Sequence, residues 1–101
     1  MPVRKKRLEW SKTALADLAE GMEFYAARNP DAARRMLGEI NVAALSLIAA
    51  TLPAGGKPGR VPGTRELVLG RRTPYTIVFQ AQPDSATVAI LSVMHHARKY
   101  P

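Results

Sequence analysis

The 101-residue chain contains no cysteine. Disulfide stapling, thiolate metal ligands and a cysteine nucleophile are therefore excluded, and the composition fits a reducing compartment. No apolar run approaches the roughly 18 residues that cross a membrane, and the opening stretch MPVRKKRLEW carries basic residues with no apolar signal core behind them. A cytoplasmic protein without membrane contact is expected. There is no internal repeat, no phosphate loop of the GxGxxG or GxxxxGK type, and no CxxC or HExxH signature. Those absences leave no support for a cofactor or for a metal. Acids are scarce: 8 Asp and Glu stand against 15 Lys and Arg, a formal charge of +7. Beyond Ile40 the acids are Glu66 and Asp84 alone, facing Lys57, Arg60, Arg65, Arg71, Arg72, Arg98 and Lys99. Such a field calls for an acidic partner, either nucleic acid or an acidic protein.

What is present suits one compact domain spanning 1–101, because the length supports a single modest core and no more. In RKKRLEW the alternation of Leu8 and Trp10 with Arg7 and Glu9 predicts a short first strand. Ser11 offers an N-cap, and Leu15, Leu18, Met22 and Tyr25 follow at helical spacing. Asn29-Pro30 ends that helix and starts another, since proline disfavours a helical residue before it yet fits a first turn. Ala33, Leu37, Ile40, Ala44, Leu47 and Ile48 then predict a second helix to about residue 51. Gly21 and Gly38 fall inside these helices, at about 1 kcal/mol each relative to alanine, and offer close approach between the two helices.

Residues 52–63, LPAGGKPGRVPG, hold four glycines and three prolines and read as a loop. TRELVLG, YTIVFQ and TVAILSVMH follow as three strands, with turns at 70–74 and 82–85. The fold class is α+β: a helical hairpin on a small, mainly antiparallel four-stranded sheet, in the order β-α-α-β-β-β. Leu67 to Leu69, Ile77 to Phe79 and Val88 to Leu91 are apolar at successive positions, hence on both sheet faces. Two helices cover one face, so the other is expected to expose an apolar patch that a protein partner would cover.

The chemistry-bearing residues gather at the C-terminus in HHARKY, residues 95 to 100. His95 and His96 are adjacent, so on a strand they point to opposite faces and cannot act as one pair. Either alone could serve as a general base near neutral pH, deprotonating an RNA 2′-hydroxyl. Arg65, Arg71, Arg72 and Arg98 could neutralise phosphate charge, with Tyr100 at the leaving oxygen. The competing reading makes the same residues a basic docking rim. Tyr75 and Phe79 share a strand face and read as core or interface.

The segments GTRELVL (63–69) and PYTIVF (74–79), the H-x-x-R ending on His95 and Arg98, and DLAEGMEFYAARNPDAA (17–33) resemble the ParE/RelE family of bacterial toxins over essentially the whole chain. The resemblance implies the toxin of a type II toxin-antitoxin pair, held in a hetero-oligomer by a partly disordered, acidic antitoxin. Folding on binding would let that antitoxin lie across Leu18, Met22, Tyr25, Leu37, Ile40, Leu67, Leu69, Ile77 and Phe79. ParE-like members inhibit DNA gyrase by binding it, whereas RelE-like members cut messenger RNA on the ribosome. The RelE-like pattern has an arginine directly after a strand tyrosine, and here Thr76 follows Tyr75. The expectation is therefore ParE-like gyrase inhibition, with Arg60, Arg65, Arg71, Arg72, Arg98 and Tyr100 as the target-binding surface. The alternative is a ribosome-dependent endoribonuclease using His95, His96, Arg65, Arg98 and Tyr100. A third possibility is a basic domain that binds RNA without cutting it.

Overall fold

The structure, a computed structural model, describes residues 6–49, 56–70 and 72–97. Strand β1 (Arg7–Trp10) leads into helix α1 (Lys12–Ala26), and helix α2 (Pro30–Ser46) packs against α1 as a hairpin. Strands β2 (Lys57–Pro58), β3 (Arg65–Val68), β4 (Tyr75–Gln82) and β5 (Thr87–His95) follow, with a single 3-10 turn at Pro83–Ser85. The sheet order is β1-β5-β4-β3-β2. All neighbours are antiparallel except β1 and β5, which run parallel with Leu8 opposite Val88 and Trp10 opposite Ile90. The expected α+β hairpin-on-sheet architecture is present, with one correction: the sheet has five strands. The fifth is the two-residue β2, which lies in the stretch read as loop and pairs its Lys57 and Pro58 with Glu66 and Arg65 at the sheet edge. Proline at an edge strand is permitted because its missing N–H faces no ladder partner.

Local chemistry explains the helix boundaries. The Ser11 hydroxyl accepts from the Ala14 N–H at 3.0 Å and caps α1. Asn29 does the same for α2 through the Ala32 N–H at 3.1 Å, with Pro30 in the first turn. Helix α2 stops at Ser46, short of the expected residue 51. Beyond it Leu47, Ile48 and Ala49 donate to the carbonyls of Ala44, Leu45 and Ser46, tighter bonds that wind the α-helix down. Among the described residues no helix is long and apolar enough to cross a membrane.

The core lies between the hairpin and one sheet face. It joins Ala14, Met36, Ile40, Ala44 and Leu47 to Tyr75, Ile77, Phe79, Val88, Ile90 and Val93. Burial of each larger member contributes on the order of 1.5–3 kcal/mol. Two placements correct the helix-face reading. Ala14 and Met36 point inward, while Leu15 is 51% exposed and Leu37 only partly buried.

The far sheet face also departs from expectation. It does not present an open apolar field, for Val78, Thr76 and Glu66 are each less than 9% exposed, and of the expected patch Val68 alone is strongly exposed. Alternation interleaves Glu66, Thr76, Gln80 and Ser92 among the apolar positions of that face. The exposed large apolar side chains of the helices are instead Leu15, Phe24, Val42 and Leu45.

A register shift between Val78 and Phe79 leaves Leu91 as an extra residue in β5, a β-bulge. Helix α1 satisfies the disturbed backbone there. The Ser11 hydroxyl donates to the Leu91 carbonyl at 2.9 Å, and Asp17 Oδ2 accepts from the Val93 N–H at 3.1 Å and from the Ser92 hydroxyl at 2.7 Å. These bonds tie the start of α1 to the strand that carries His95.

Candidate functional site

His95 ends β5 on the core side, opposite Tyr75 in register. The Ala97 N–H donates to its Nδ1 at 3.0 Å, so that nitrogen is unprotonated. The proton of the neutral ring is then on Nε2, which donates to the Tyr25 hydroxyl at 2.6 Å. Both nitrogens are thereby committed. The ring also meets Tyr75 edge-on, with centroids 5.1 Å apart, and lies 5.9 Å from Tyr25. A general base needs a lone pair aimed at the proton it removes. Neither His95 nitrogen offers one in this arrangement.

His96 faces away. Its Nε2 lies 3.0 Å from the Thr76 hydroxyl, and its backbone N–H donates to the Pro74 carbonyl. Since Tyr75 stands on the core face and Thr76 on the other, the two histidines occupy opposite sides of the sheet.

The basic residues are spread along the opposite sheet edge. The Arg65 guanidinium donates to the Gly56 carbonyl at 2.7 Å, and the Arg60 N–H donates to the buried Glu66 carboxylate at 3.2 Å. Arg65 is in register with Phe79, four residues along β4 from the Tyr75 that faces His95. At strand dimensions that is about 13 Å along the strand and about 10 Å across two strand spacings. Arg65 and His95 therefore do not share a site. Arg71, Arg98 and Tyr100 lie outside the described residues.

Arg72 sits on the exposed turn between β3 and β4, and a polar cluster beside it secures that turn to α2. The Thr73 hydroxyl donates to Glu39 Oε2, while Arg35 donates to Glu39 Oε1 at 3.2 Å and reaches Thr73 Oγ1 at 3.5 Å. The Thr73 bond, with Arg35 and the charge of Arg72 behind it, holds the Glu39 carboxyl below its ordinary value of 4.5, against a smaller opposing effect of desolvation. Among the described residues no group of three or more His, Cys, Asp or Glu could hold a metal ion.

The residues expected to meet an antitoxin divide. Ile40, Ile77 and Phe79 are 0% exposed and belong to the core, so their assignment as surface contacts is corrected: the strong apolar periodicity that marked them reports burial within the chain. Leu18, Met22, Tyr25, Leu37, Leu67 and Leu69 are partly buried and border the surface.

Between α1 and the end of β5 lies a cavity of 340 Å³ lined by Asp17, Glu20, Gly21, Phe24, Tyr25, Tyr75, Val93, His95 and Ala97. A Cβ at Gly21 would collide with the Tyr75 hydroxyl. This glycine therefore admits β4 beneath the helix, whereas the sequence suggested a helix-helix approach. Asp17, Glu20 and Phe24 escaped the sequence reading because they stand beside the apolar stripe of α1. A faint signal existed in Phe24, an aromatic one position off that stripe.

Comparison with known proteins matches residues 8–100 to the ParE toxin of the type II toxin-antitoxin system parDE. A Sinorhizobium fredii protein that bears a toxin name, Y4kP, is 40% identical over 97 residues, covering 96% of this chain and 95% of its own. Among solved structures, the chromosomal ParDE toxin-antitoxin system from P. aeruginosa aligns with a TM-score of 0.78 and 26% identity, over 90% of this chain and 96% of that one. The RelBE2 toxin-antitoxin complex from Mycobacterium tuberculosis aligns at 0.66 and 25% identity, over 96% and 98%. The isolated RelE toxin of E. coli shares the fold at 0.56 and 20% identity, over 93% and 87%.

Proposed function

Because the chain belongs to the family of ParE toxins of type II toxin-antitoxin systems, we propose that it arrests growth by binding DNA gyrase, and that a cognate antitoxin neutralises it. The commitment of both His95 nitrogens carries this reading. A ribonuclease of the histidine type needs one histidine ready to take a proton and cationic groups around the same phosphate. Here His95 is fully engaged, His96 is across the sheet, and Arg65 lies at the far end of β4. A docking protein needs no such convergence. Its demands are a rigid body and a charged surface, and Arg60, Arg65 and Arg72, with Arg71, Arg98 and Tyr100 from the segments beyond the described residues, are assigned to that surface.

The antitoxin reading rests on charge and on surface. A chain of +7 suits an acidic partner. Leu15, Phe24, Val42 and Leu45 give a folding-on-binding segment apolar anchors on the hairpin, and partly buried Leu18, Met22, Tyr25 and Leu37 border them. Toxin and antitoxin would meet in the cytoplasm, where gyrase is.

The test pairs two reactions with the purified chain: supercoiling of relaxed plasmid by gyrase, and translation of end-labelled messenger RNA with ribosomes present or omitted. Inhibited supercoiling with intact RNA is the expected result, and His95→Gln with His96→Gln should leave that inhibition nearly unchanged. Codon-periodic cuts that need ribosomes would overturn it and make the chain an endoribonuclease. Salt-dependent RNA binding without growth arrest would make it a binding domain alone.

A further inference from the structure

The cavity beside His95 is walled by rings on three sides. Phe24 meets Tyr25 edge-on at 5.4 Å, and Tyr25 and Tyr75 flank the histidine. Its charged lining residues are Asp17 and Glu20, both acids, in a chain of net +7. The His95 ring is held as the neutral tautomer, so it adds a π-face without a positive charge. One of the rings already receives a cation, for Arg28 lies with its guanidinium carbon 4.0 Å over the Phe24 ring. Aromatic faces combined with carboxylates are the chemistry that recognises an organic cation.

We propose that this cavity is a socket for one arginine side chain of the cognate antitoxin. The proposal rests on the antitoxin reading above for the identity of the partner, and on the cavity alone for the chemistry of the ligand. Arginine fits better than lysine because its guanidinium is planar, weakly hydrated and forked, so it stacks on rings while donating to a carboxylate. The volume lies at the lower end of ligand pockets and suits a single side chain rather than a folded element. Phosphate is disfavoured, since both carboxylates would repel it, and this separates the socket from any surface that grips nucleic acid. The polarity has a use. An antitoxin made acidic to suit the rest of the toxin would be mismatched at this one place unless it presented a cation there, so the socket sets the register and identity of the partner.

The direct test titrates the ¹⁵N-labelled chain with N-acetylarginine amide and, in parallel, with the neutral isostere N-acetylcitrulline amide, following backbone amide shifts. Saturable shifts centred on Gly21, Phe24 and Ala97 are expected with arginine, with roughly tenfold weaker binding of citrulline, in line with a cation–π and carboxylate contribution of about 1.4 kcal/mol. Glu20→Gln should weaken arginine binding by a similar factor. Glu20 is exposed, so this change leaves the fold intact. An equal response to citrulline, or shifts scattered away from the cavity, would overturn the socket. A second titration with the antitoxin decides the occupant: Glu20→Gln and Phe24→Ala should each weaken the complex about tenfold, while Glu23→Gln, exposed on the same helix outside the cavity, should not. Arginine amide binding with unchanged antitoxin affinity in Glu20→Gln would overturn the antitoxin as source. Failure of the wild-type chain to bind any antitoxin would instead strike the functional reading, leaving the first titration to judge the socket.

Discussion

His95 and His96 share a peptide bond and little else. His95 faces the hairpin, with Nδ1 and Nε2 each in a hydrogen bond and tyrosine rings on two sides, while His96 is exposed on the opposite face beside the Thr76 hydroxyl. The same side chain is a structural strut in one position and a surface group in the next. Side-chain identity and sequence proximity are therefore poor guides to chemistry on a strand, where alternation assigns neighbours to different environments. The contrast extends to the whole molecule, with a bonded, ring-lined helix side at one end of β4 and an arginine-bearing edge at the other.

The strongest way to break this contrast is at the core that supports the helix side. Phe79→Ala should destabilise the fold by about 3–5 kcal/mol, as for other buried aromatics, against about 0.5 kcal/mol or less for exposed Phe24→Ala. Urea denaturation of the two variants measures both, and similar midpoints would show that the cluster around Phe79 is not the core.

A smaller effect is expected at Gly21. Gly21→Ala drives a methyl into the Tyr75 hydroxyl and through it toward His95, at a cost of about 1–3 kcal/mol. Combining it with Tyr75→Phe, which removes the clashing oxygen, should recover part of that loss in a double-mutant cycle. Strictly additive losses would mean that Tyr75 is not what Gly21 accommodates.

The histidines themselves come next. His95→Gln should cost about 1–2 kcal/mol, because it disturbs partly buried hydrogen bonds, whereas His96→Gln should stay within about 0.5 kcal/mol. Thermal melts of the two single variants would sharpen the comparison, and the reverse ranking would refute it.

The smallest effect belongs to the arginine edge. Glu39 is held below 4.5 when folded, so it releases its proton more readily in the native state than in the unfolded chain. Its contribution to stability is present above pH 4.5 and is lost as pH falls from there through the lower native value. Glu39→Gln should remove that part of the acid sensitivity. If variant and wild type lose stability in parallel between pH 5 and pH 3, the Thr73 and Arg35 bonds to Glu39 do not matter in solution.

Much of this architecture is legible in local patterns. Ser11 and Asn29-Pro30 carry their caps within three residues, and the two helices and three long strands follow from apolar periodicity because each repeat lies within a dozen residues. Strand β2 was hidden because its two residues, Lys57 and Pro58, have no strand character and become a strand only by pairing with β3. The same limit applies to Ile40, Ile77 and Phe79. Periodicity marked them as a buried face without saying whether that burial lies inside the chain or against a partner. The bulge at Leu91 and its anchors Ser11 and Asp17 join positions 75 or more residues apart, beyond the reach of any local pattern.

By itself the sequence determined the composition, the +7 charge, the helix caps, the strand alternation that separates His95 from His96, and a family resemblance in motifs that cover the chain. Each of these depends on interactions among near neighbours or on totals that need no geometry. Only the tertiary structure decided which histidine has its nitrogens occupied, that Gly21 makes room for Tyr75, and that two acids and four rings from α1, β4 and β5 enclose one cavity. Those facts depend on how far α1 slides along β5, a quantity set by the Asp17 contacts to Ser92 and Val93 and by the packing of the whole core.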